Sequence, residues 1–459
     1  MALFNIAPKL QPEDYERNFR EINLPLTRQQ ALIETARCLY CYDAPCIKAC
    51  PTHIDVPSFI KKIATGNLKG SARVILTANI LGESCGRVCP TESLCEGACV
   101  LNKEGAKPVE IGSLQRYAVD YVLDRGIRLF EAGKPNGHRV ACIGSGPASL
   151  ACAADLAKWG YEVKIYDRNK LPGGLNTYGI AAYKTRATDS LREVKLVEDL
   201  GVQFEQGVEV GKDVTLSELE SRCAAIFIAV GLGETWALNL PGEELAGVWG
   251  AMEFIELTKT RPFAAVDVGR RVVVIGAGNT AIDVATAARR LGAEDVSIVY
   301  RRSEPEVPAF QSEYELAQKD GVVFHWNTQP VRVVGNQHVE ALECVRTRQA
   351  EASASLARRR SARFELLSGT EFRIPADMVV RAVGQQPLAS LLKAVRGVVI
   401  EDGRIAVNPE TGQTGNPQYF AGGDCLNGGR EVVDAVAEGM RAARGIHAWL
   451  QKQGVGSSG

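Results

Sequence analysis

The sequence predicts an α/β protein in which an all-helical N-terminal segment precedes two strand–turn–helix–strand units. Three observations predict it. Eight of the thirteen cysteines crowd residues 38–99, amid helical caps and periodicity. A glycine-rich turn follows an apolar strand near residue 144, and a second does so near residue 276. A glycine pair with an acid, "AGGD", follows a strand near the end of the chain. The length of 459 residues suggests about three domains. An apolar fraction of 46% is that of an ordinary globular protein, and a net charge of −1 argues against nucleic acid or an anionic membrane as partner. The N-terminus lacks a basic stretch followed by an apolar core, and no apolar run reaches the roughly 18 residues of a membrane helix. A cytoplasmic chain with reduced thiols is therefore expected, and metal becomes the leading use for the cysteines.

The helical segment is read from its punctuation. Thr27 with Gln30 forms a capping box opening "TRQQALIETARC". Asp55 caps "VPSFIKKIAT", and Gly66 stops it. "GSLQRYAVDYVLDRGI" closes the segment, so residues 1–137 are expected to form a small helical domain stabilised by metal. "CLYCYDAPCIKACP" has the spacing C-x2-C-x4-C-x3-C-P, and "CGRVCPTESLCEGAC" has C-x3-C-x5-C-x3-C. Zinc sites usually pair two short knuckles across a long gap. Crowded thiols followed by proline look more like a ferredoxin run, and soft sulfur donors suit iron. Two [4Fe–4S] clusters are favoured over zinc. By spacing alone all eight cysteines, Cys85 included, fill them.

The first glycine turn lies in "RVACIGSGPASLACAADLAKWGYEVKIYD". Gly144 and Gly146 allow a tight turn and close approach of a pyrophosphate to a helix N-terminus that opens at Pro147. Ser149 replaces the third glycine. Asp167, 23 residues after Gly144, ends the second strand where an acid can bond a ribose hydroxyl, with Arg168 beside it. The second turn, in "RRVVVIGAGNTAIDVATAARRLGAEDVSIVYRR", has Gly276, Gly278 and Ala281, with Asn279 and Thr280 opening its helix. Here the second strand ends in Arg301 and Arg302. Arginine there accommodates a 2′-phosphate and favours NADP over NAD; two solvated surface arginines are the plainer alternative. Two Rossmann-like dinucleotide-binding domains are the result. "AEASASLARRRSAR" (350–363) is basic and poor in apolar residues, and reads as a solvated hairpin loop.

"YFAGGDCLNGG", with Gly423 and Asp424, resembles the second flavin signature of the pyridine-nucleotide-disulfide reductase superfamily, in which the aspartate meets the ribityl chain. "FIAVGLG" (227–233, with Gly231) and "VVRAVGQQP" (379–387, with Gly384) resemble its two crossover segments. The resemblance implies an FAD domain over 138–262 and 375–459, with an NAD(P)H domain inserted over 263–374. "PGGLNTYGI" (172–180, with Gly173, Gly174 and Leu175), together with the cysteine framework and "IGSLQRYA", resembles the glutamate synthase small-subunit family. The likeness is strongest to the NAD(P)H-input subunit of bacterial dihydropyrimidine dehydrogenase. It implies one cluster on Cys38, Cys41, Cys46 and Cys99, and another on Cys50, Cys89, Cys95 and Gln115, with Cys85 spare. The family often has an Arg-Leu-Pro after "GI"; "GIAAYKTR" departs from it, and Lys184 is either a substitute or plain surface.

The implied function is electron transfer between NADP(H) or NAD(H), FAD and two [4Fe–4S] clusters, for a partner catalytic subunit in a hetero-oligomer. A flavin takes electrons in pairs and releases them singly, so the chain would convert two-electron to one-electron transfer. No catalytic acid or base is nominated. Asp283 is a candidate for positioning only. Dihydropyrimidine dehydrogenase is the favoured partner. A glutamate synthase large subunit and a tungsten or molybdenum aldehyde oxidoreductase are alternatives. A free-standing disulfide reductase would need a cysteine pair at the flavin, whereas Cys142 and Cys152 read as buried packing and Cys425 has no near partner.

Overall fold

The computed structural model describes residues 5–349 and 364–456. They fall into two compact units, each drawn from three stretches of chain.

The larger unit comprises Ile22–Thr177, Lys184–Gly233 and Pro387–Gly459. Its helical part contains Arg28–Arg37, Val56–Ala64, Leu68–Ala78, Gly82–Val88 and Ile111–Leu123. Their apolar stripes meet at Phe59, Ile60, Ile75, Leu76, Leu114 and Val119, all fully buried. The expected caps are present. Thr27 accepts from Gln30 N while Gln30 Oε1 accepts from Thr27 N at 2.8 Å, and Asp55 accepts from Ser58 N at 3.1 Å. Gly66, at φ +77°, follows the end of Val56–Ala64.

The sheet of this unit is parallel throughout, in the order Tyr419–Ala421, Ala225–Ile228, Arg139–Ile143, Glu162–Asp167 and Gln203–Gln206. Its central strands are buried on both faces, which is why they read as unbroken apolar runs. Helix Pro147–Lys158 packs against the C-terminal helix Val432–Gly456. The two backbones close at Gly439, where a Cβ would stand 2.1 Å from Ala148 O. Cys142, on strand Arg139–Ile143, and Cys152, on helix Pro147–Lys158, are fully buried in this core.

The smaller unit comprises residues 5–21, Tyr178–Tyr183 and Glu234–Gln386. A second parallel sheet runs in the order Val248–Gly250, Met378–Arg381, Arg271–Ile275, Asp295–Val299 and Val323–His325. An antiparallel sheet of Thr328–Gly335, Val339–Gln349, Phe364–Leu366 and Phe372–Pro375 accompanies it.

Two expected boundaries move. Strands Val248–Gly250 and Met378–Arg381 pair in the second sheet, so the insert spans about 234–386 instead of 263–374. Gly384 goes with it, since its carbonyl accepts from Trp236 N at 3.0 Å. The helical domain expected over 1–137 also begins later. Residues 5–21 join the smaller unit through apolar contact: Phe19 stacks on Phe263 with centroids 3.9 Å apart, and Ala7 N donates to Val268 O at 2.8 Å. The hairpin expected over 350–363 lies outside the described residues. Among the described residues no helix is long and apolar enough to cross a membrane.

Candidate cofactor sites

The two cysteine bursts come together across the chain. Cys38, Cys41 and Cys46 from the first and Cys99 from the second line one pocket, walled by Leu39, Val56, Ile60, Val109 and Ile111. Among the described residues no three metal-ligating side chains converge as around a single ion. The four thiols share the lining of that pocket with apolar side chains. Burial pushes the Cys46 thiol up to about 11, and its neighbours Cys38 and Cys99 add to the effect. A second group forms around Cys89, whose thiol is raised by a bond to Cys85, by burial, and by Cys95 and Cys50. Such thiols stay protonated until metal replaces the proton.

Gln115 is buried, and its Nε2 donates to Gly82 O at 2.8 Å. That bond ties it to helix Gly82–Val88, which carries Cys85 and leads directly into Cys89. Cys85 is buried and accepts from Asn79 Nδ2 at 3.1 Å. Cys85 also bonds Cys89, which places it with the second group of thiols.

The flavin side of the larger unit is a cradle of glycines. Gly144, at φ +93°, would put a Cβ 2.4 Å from Ala229 O. A Cβ on Gly174, at φ +55°, would stand 2.7 Å from Gly146 Cα. Gly173 N donates to Ser145 O at 3.1 Å, so the segment "PGGLN" lies against the first glycine turn. Helix Pro147–Lys158 starts directly after Gly146, and its first N–H groups have no helical acceptor. Ser149, at the third glycine position, is fully buried. Gly231 and Gly423 both take positive φ, and nothing lies within 4 Å of a Cβ on Gly231. Asp424 is pushed up by burial and accepts from Arg430 N at 3.4 Å. Space left by missing side chains, a free helix N-terminus and a sequestered carboxylate suit a dinucleotide pyrophosphate and a ribityl chain.

Asp167 is turned onto the loop. It accepts from Ser145 N at 2.7 Å, Ser145 Oγ at 2.6 Å and Asn169 N at 2.8 Å. The same carboxylate is the one expected to meet a ribose. Arg168 beside it is exposed, and Leu175 is half-buried. Lys184 is buried, which removes the plain-surface reading.

The second glycine turn, in the smaller unit, repeats the design. Gly276, at φ +120°, would put a Cβ 2.3 Å from Ala382 O, while a Cβ on Gly278 would meet nothing within 4 Å. Asn279 Oδ1 accepts from Phe310 N at 3.0 Å, Thr280 is exposed and Ala281 is fully buried. Arg301 and Arg302 follow strand Asp295–Val299, the first exposed and the second half-buried. Their carbonyls accept from Thr347 Oγ1 at 2.8 Å and Asn327 N at 2.9 Å, which fixes their backbone. Asp283 accepts from the buried Tyr183 Oη at 2.8 Å, with Arg290 4.4 Å over that ring.

The arginine pair carries a prediction. Arg301→Ala with Arg302→Ala should raise the NADPH KM strongly and leave NADH nearly unchanged. Charge-assisted contacts to a 2′-phosphate contribute about 1.5–3 kcal/mol each. Steady-state kinetics with both nucleotides checks it, and equal losses would show that these arginines do not select the phosphate.

Sequence reading missed one group. Glu193 on helix Ala187–Glu198 is fully buried and accepts from Glu83 N at 2.7 Å and Ser84 N at 2.9 Å. Its signal was positional, since Ser190, Val194 and Val197 mark the same buried stripe.

Two parallel nucleotide sheets and a thiol-lined pocket define a flavin- and iron–sulfur-dependent NAD(P)H oxidoreductase. Residues 138–439 match the family model for pyridine nucleotide-disulphide oxidoreductases, and residues 15–127 match that for dihydropyrimidine dehydrogenase domain II, 4Fe-4S cluster. The chain belongs to the pyridine nucleotide-disulphide oxidoreductase family and to the glutamate synthase small-subunit-like family. It is 38% identical over 451 residues to the glutamate synthase [NADPH] small chain of Escherichia coli (strain K12), covering 94% of each. It is 34% identical over 432 residues to the NAD-dependent dihydropyrimidine dehydrogenase subunit PreT of Escherichia coli O157:H7, covering 94% of this chain and 97% of that protein. Mycobacterium tuberculosis FprA in complex with NADPH shares the fold, with a TM-score of 0.58 at 22% identity over 71% of this chain and 86% of that one. The cofactors are accordingly FAD, [4Fe–4S] and a nicotinamide dinucleotide, NADP(H) or NAD(H).

Proposed function

We propose that the chain is the electron-input subunit of a larger oxidoreductase, moving electrons between NADPH and a separate catalytic subunit. One observation carries this reading: the thiol-lined pocket and the glycine cradle belong to the same compact unit. When bound, the flavin exchanges electron pairs with the nicotinamide and single electrons with the clusters. The chain's own residues place these groups. Gly144, Gly146, Gly173 and Gly174 make room for the FAD pyrophosphate, with Asp424 at the ribityl chain. Cys38, Cys41, Cys46 and Cys99 hold one cluster, and Cys50, Cys89, Cys95 and Gln115 hold the other. Gly276 and Gly278 admit the nicotinamide dinucleotide.

The partner is a dihydropyrimidine dehydrogenase catalytic subunit, which the likeness of "RCLYCYDAPC" and the cluster-domain match support. A glutamate synthase large subunit is the second reading, favoured by 38% identity against 34%. Identification of the chain that co-purifies from the native cell decides between them.

The relay is tested on the isolated holoprotein. It should contain about eight irons and eight acid-labile sulfides per chain. With NADPH it should reduce an artificial acceptor, yet be inert toward uracil, thymine, 2-oxoglutarate with glutamine, and aldehydes. Stoichiometric zinc without sulfide, or turnover of any of those substrates by this chain alone, would overturn the reading.

A further inference from the structure

Three elements of the larger unit meet at one buried carboxylate. Helix Ala187–Glu198 carries Ser190 and Glu193 one turn apart, both fully buried. Ser190 Oγ bonds Thr177 Oγ1 at 2.8 Å, and Thr177 Oγ1 in turn donates to Pro172 O at 2.6 Å. Those bonds hold the segment Pro172–Thr177, which lies against the first glycine turn. Glu193 reaches the other way. One of its oxygens takes the N–H groups of Glu83 and Ser84 in the first turn of Gly82–Val88, and the other takes Ser84 Oγ. Ser84 Oγ also accepts from Asn176 Nδ2 at 3.0 Å, which closes the triangle. The flavin segment and the helix leading to Cys89 are thus bonded to each other and to the same helix face.

A carboxylate at this depth is costly unless its lone pairs are occupied. Three hydrogen bonds occupy them, and two are to backbone N–H groups that a helix start leaves unsatisfied. The placement also suits the charge, because a helix N-terminus favours an anion. A surface cap would do as much for stability at far lower desolvation cost. What burial adds is rigidity: bonds through Glu193 and Ser84 join the two elements directly.

We propose that Glu193 is a positioning residue for electron passage, fixing the helix that bears Cys85 and leads to Cys89 against the flavin segment Pro172–Thr177. The inference rests on the relay reading above and adds to it the residue that sets the flavin-to-cluster spacing. Gln115, bonded to Gly82 O, extends the same bracket to a cluster ligand. Ser84 is the hinge of the arrangement, since it alone touches both Glu193 and Asn176 through one oxygen.

The test uses the full-length holoprotein with NADPH under anaerobic conditions. Flavin reduction is followed by stopped-flow absorbance, and cluster reduction by freeze-quench EPR. Glu193→Ala should reduce its flavin at the wild-type rate while cluster reduction slows about tenfold or more, as expected for misplacement remote from the chemistry. Amide exchange in residues 82–88 and 172–178 should rise together in this variant, with or without NADPH. Glu193→Gln keeps an acceptor for both N–H groups and should restore both readouts. Wild-type cluster reduction in Glu193→Ala, or a Gln variant as slow as the Ala one, would overturn the proposal. Where Glu193→Ala does not fold, Ser84→Ala carries the test: it removes only the shared hydroxyl, and slowed cluster reduction supports the proposal while an unchanged rate overturns it. Wild-type clusters that remain oxidised beside a reduced flavin would instead refute the relay itself, a different outcome from any of these.

Discussion

Cys95→Ala should abolish electron delivery to the partner while NADPH still reduces the flavin. The Cys95 thiol is raised by burial and by the charges of Glu96, Cys50 and Cys46 around it. It therefore lies near Cys50, assigned to the same cluster, and Cys46, assigned to the other. The flavin cradle draws on other parts of the chain, at Gly144, Gly146, Gly174 and Asp424. Loss of one thiol ligand should remove about four irons and four sulfides and leave FAD content unchanged. Cys50→Ala should behave alike. Part of the folding energy of the helical segment goes with the metal, so the melting temperature of that segment should fall as well. Rapid mixing with NADPH separates flavin reduction from partner-linked turnover. Partner reduction that survives the loss of iron would refute this assignment.

Gly144→Ala should strip the flavin. Its φ of +93° is one that side-chain-bearing residues rarely adopt, and the new Cβ would stand 2.4 Å from the carbonyl oxygen of Ala229. That oxygen belongs to backbone following the neighbouring strand, so it cannot swing aside. Strain of this kind costs about 1–3 kcal/mol, before any movement of the loop out of its pyrophosphate-binding shape, and corresponds to roughly tenfold or more in FAD occupancy. Gly278→Ala is the informative contrast. It sits in extended backbone with nothing within 4 Å of its Cβ, so the protein should fold and keep its FAD. The methyl group then enters the space meant for the second dinucleotide and should raise the KM for NADPH. Released flavin, measured by fluorescence, and steady-state kinetics distinguish the two variants.

Local features were legible in the sequence because their causes are local. Thr27 with Gln30, Asp55 with Ser58, and both glycine turns act within a few residues, and each forms as expected. The cysteine groups were legible because chemistry concentrates residues that composition does not. Sheet membership was not. Met378–Arg381, three apolar residues and an arginine, reads identically in either sheet, and only pairing with Arg271–Ile275, about a hundred residues earlier, decides it. Phe19 and Phe263 likewise meet through tertiary contact that periodicity does not encode. Glu193 was invisible for a related reason. A glutamate on an amphipathic helix reads as solvated until the donors of a distant segment are brought to it.

The order of strands has a consequence for how the protein is made. Every strand of the smaller unit's parallel sheet is complete once Arg381 has been synthesised, but the larger unit's sheet waits for Tyr419–Ala421. Until then Ala225–Ile228 presents a bare edge, and helix Pro147–Lys158 lacks the cover of Val432–Gly456. Asp424 arrives in the same late stretch. A nascent chain thus carries a finished nicotinamide module beside an unfinished, sticky flavin module. Flavin loading waits for Tyr419–Ala421 and Asp424, and ribosome stalling between residues 381 and 419 would yield flavin-free, aggregation-prone fragments.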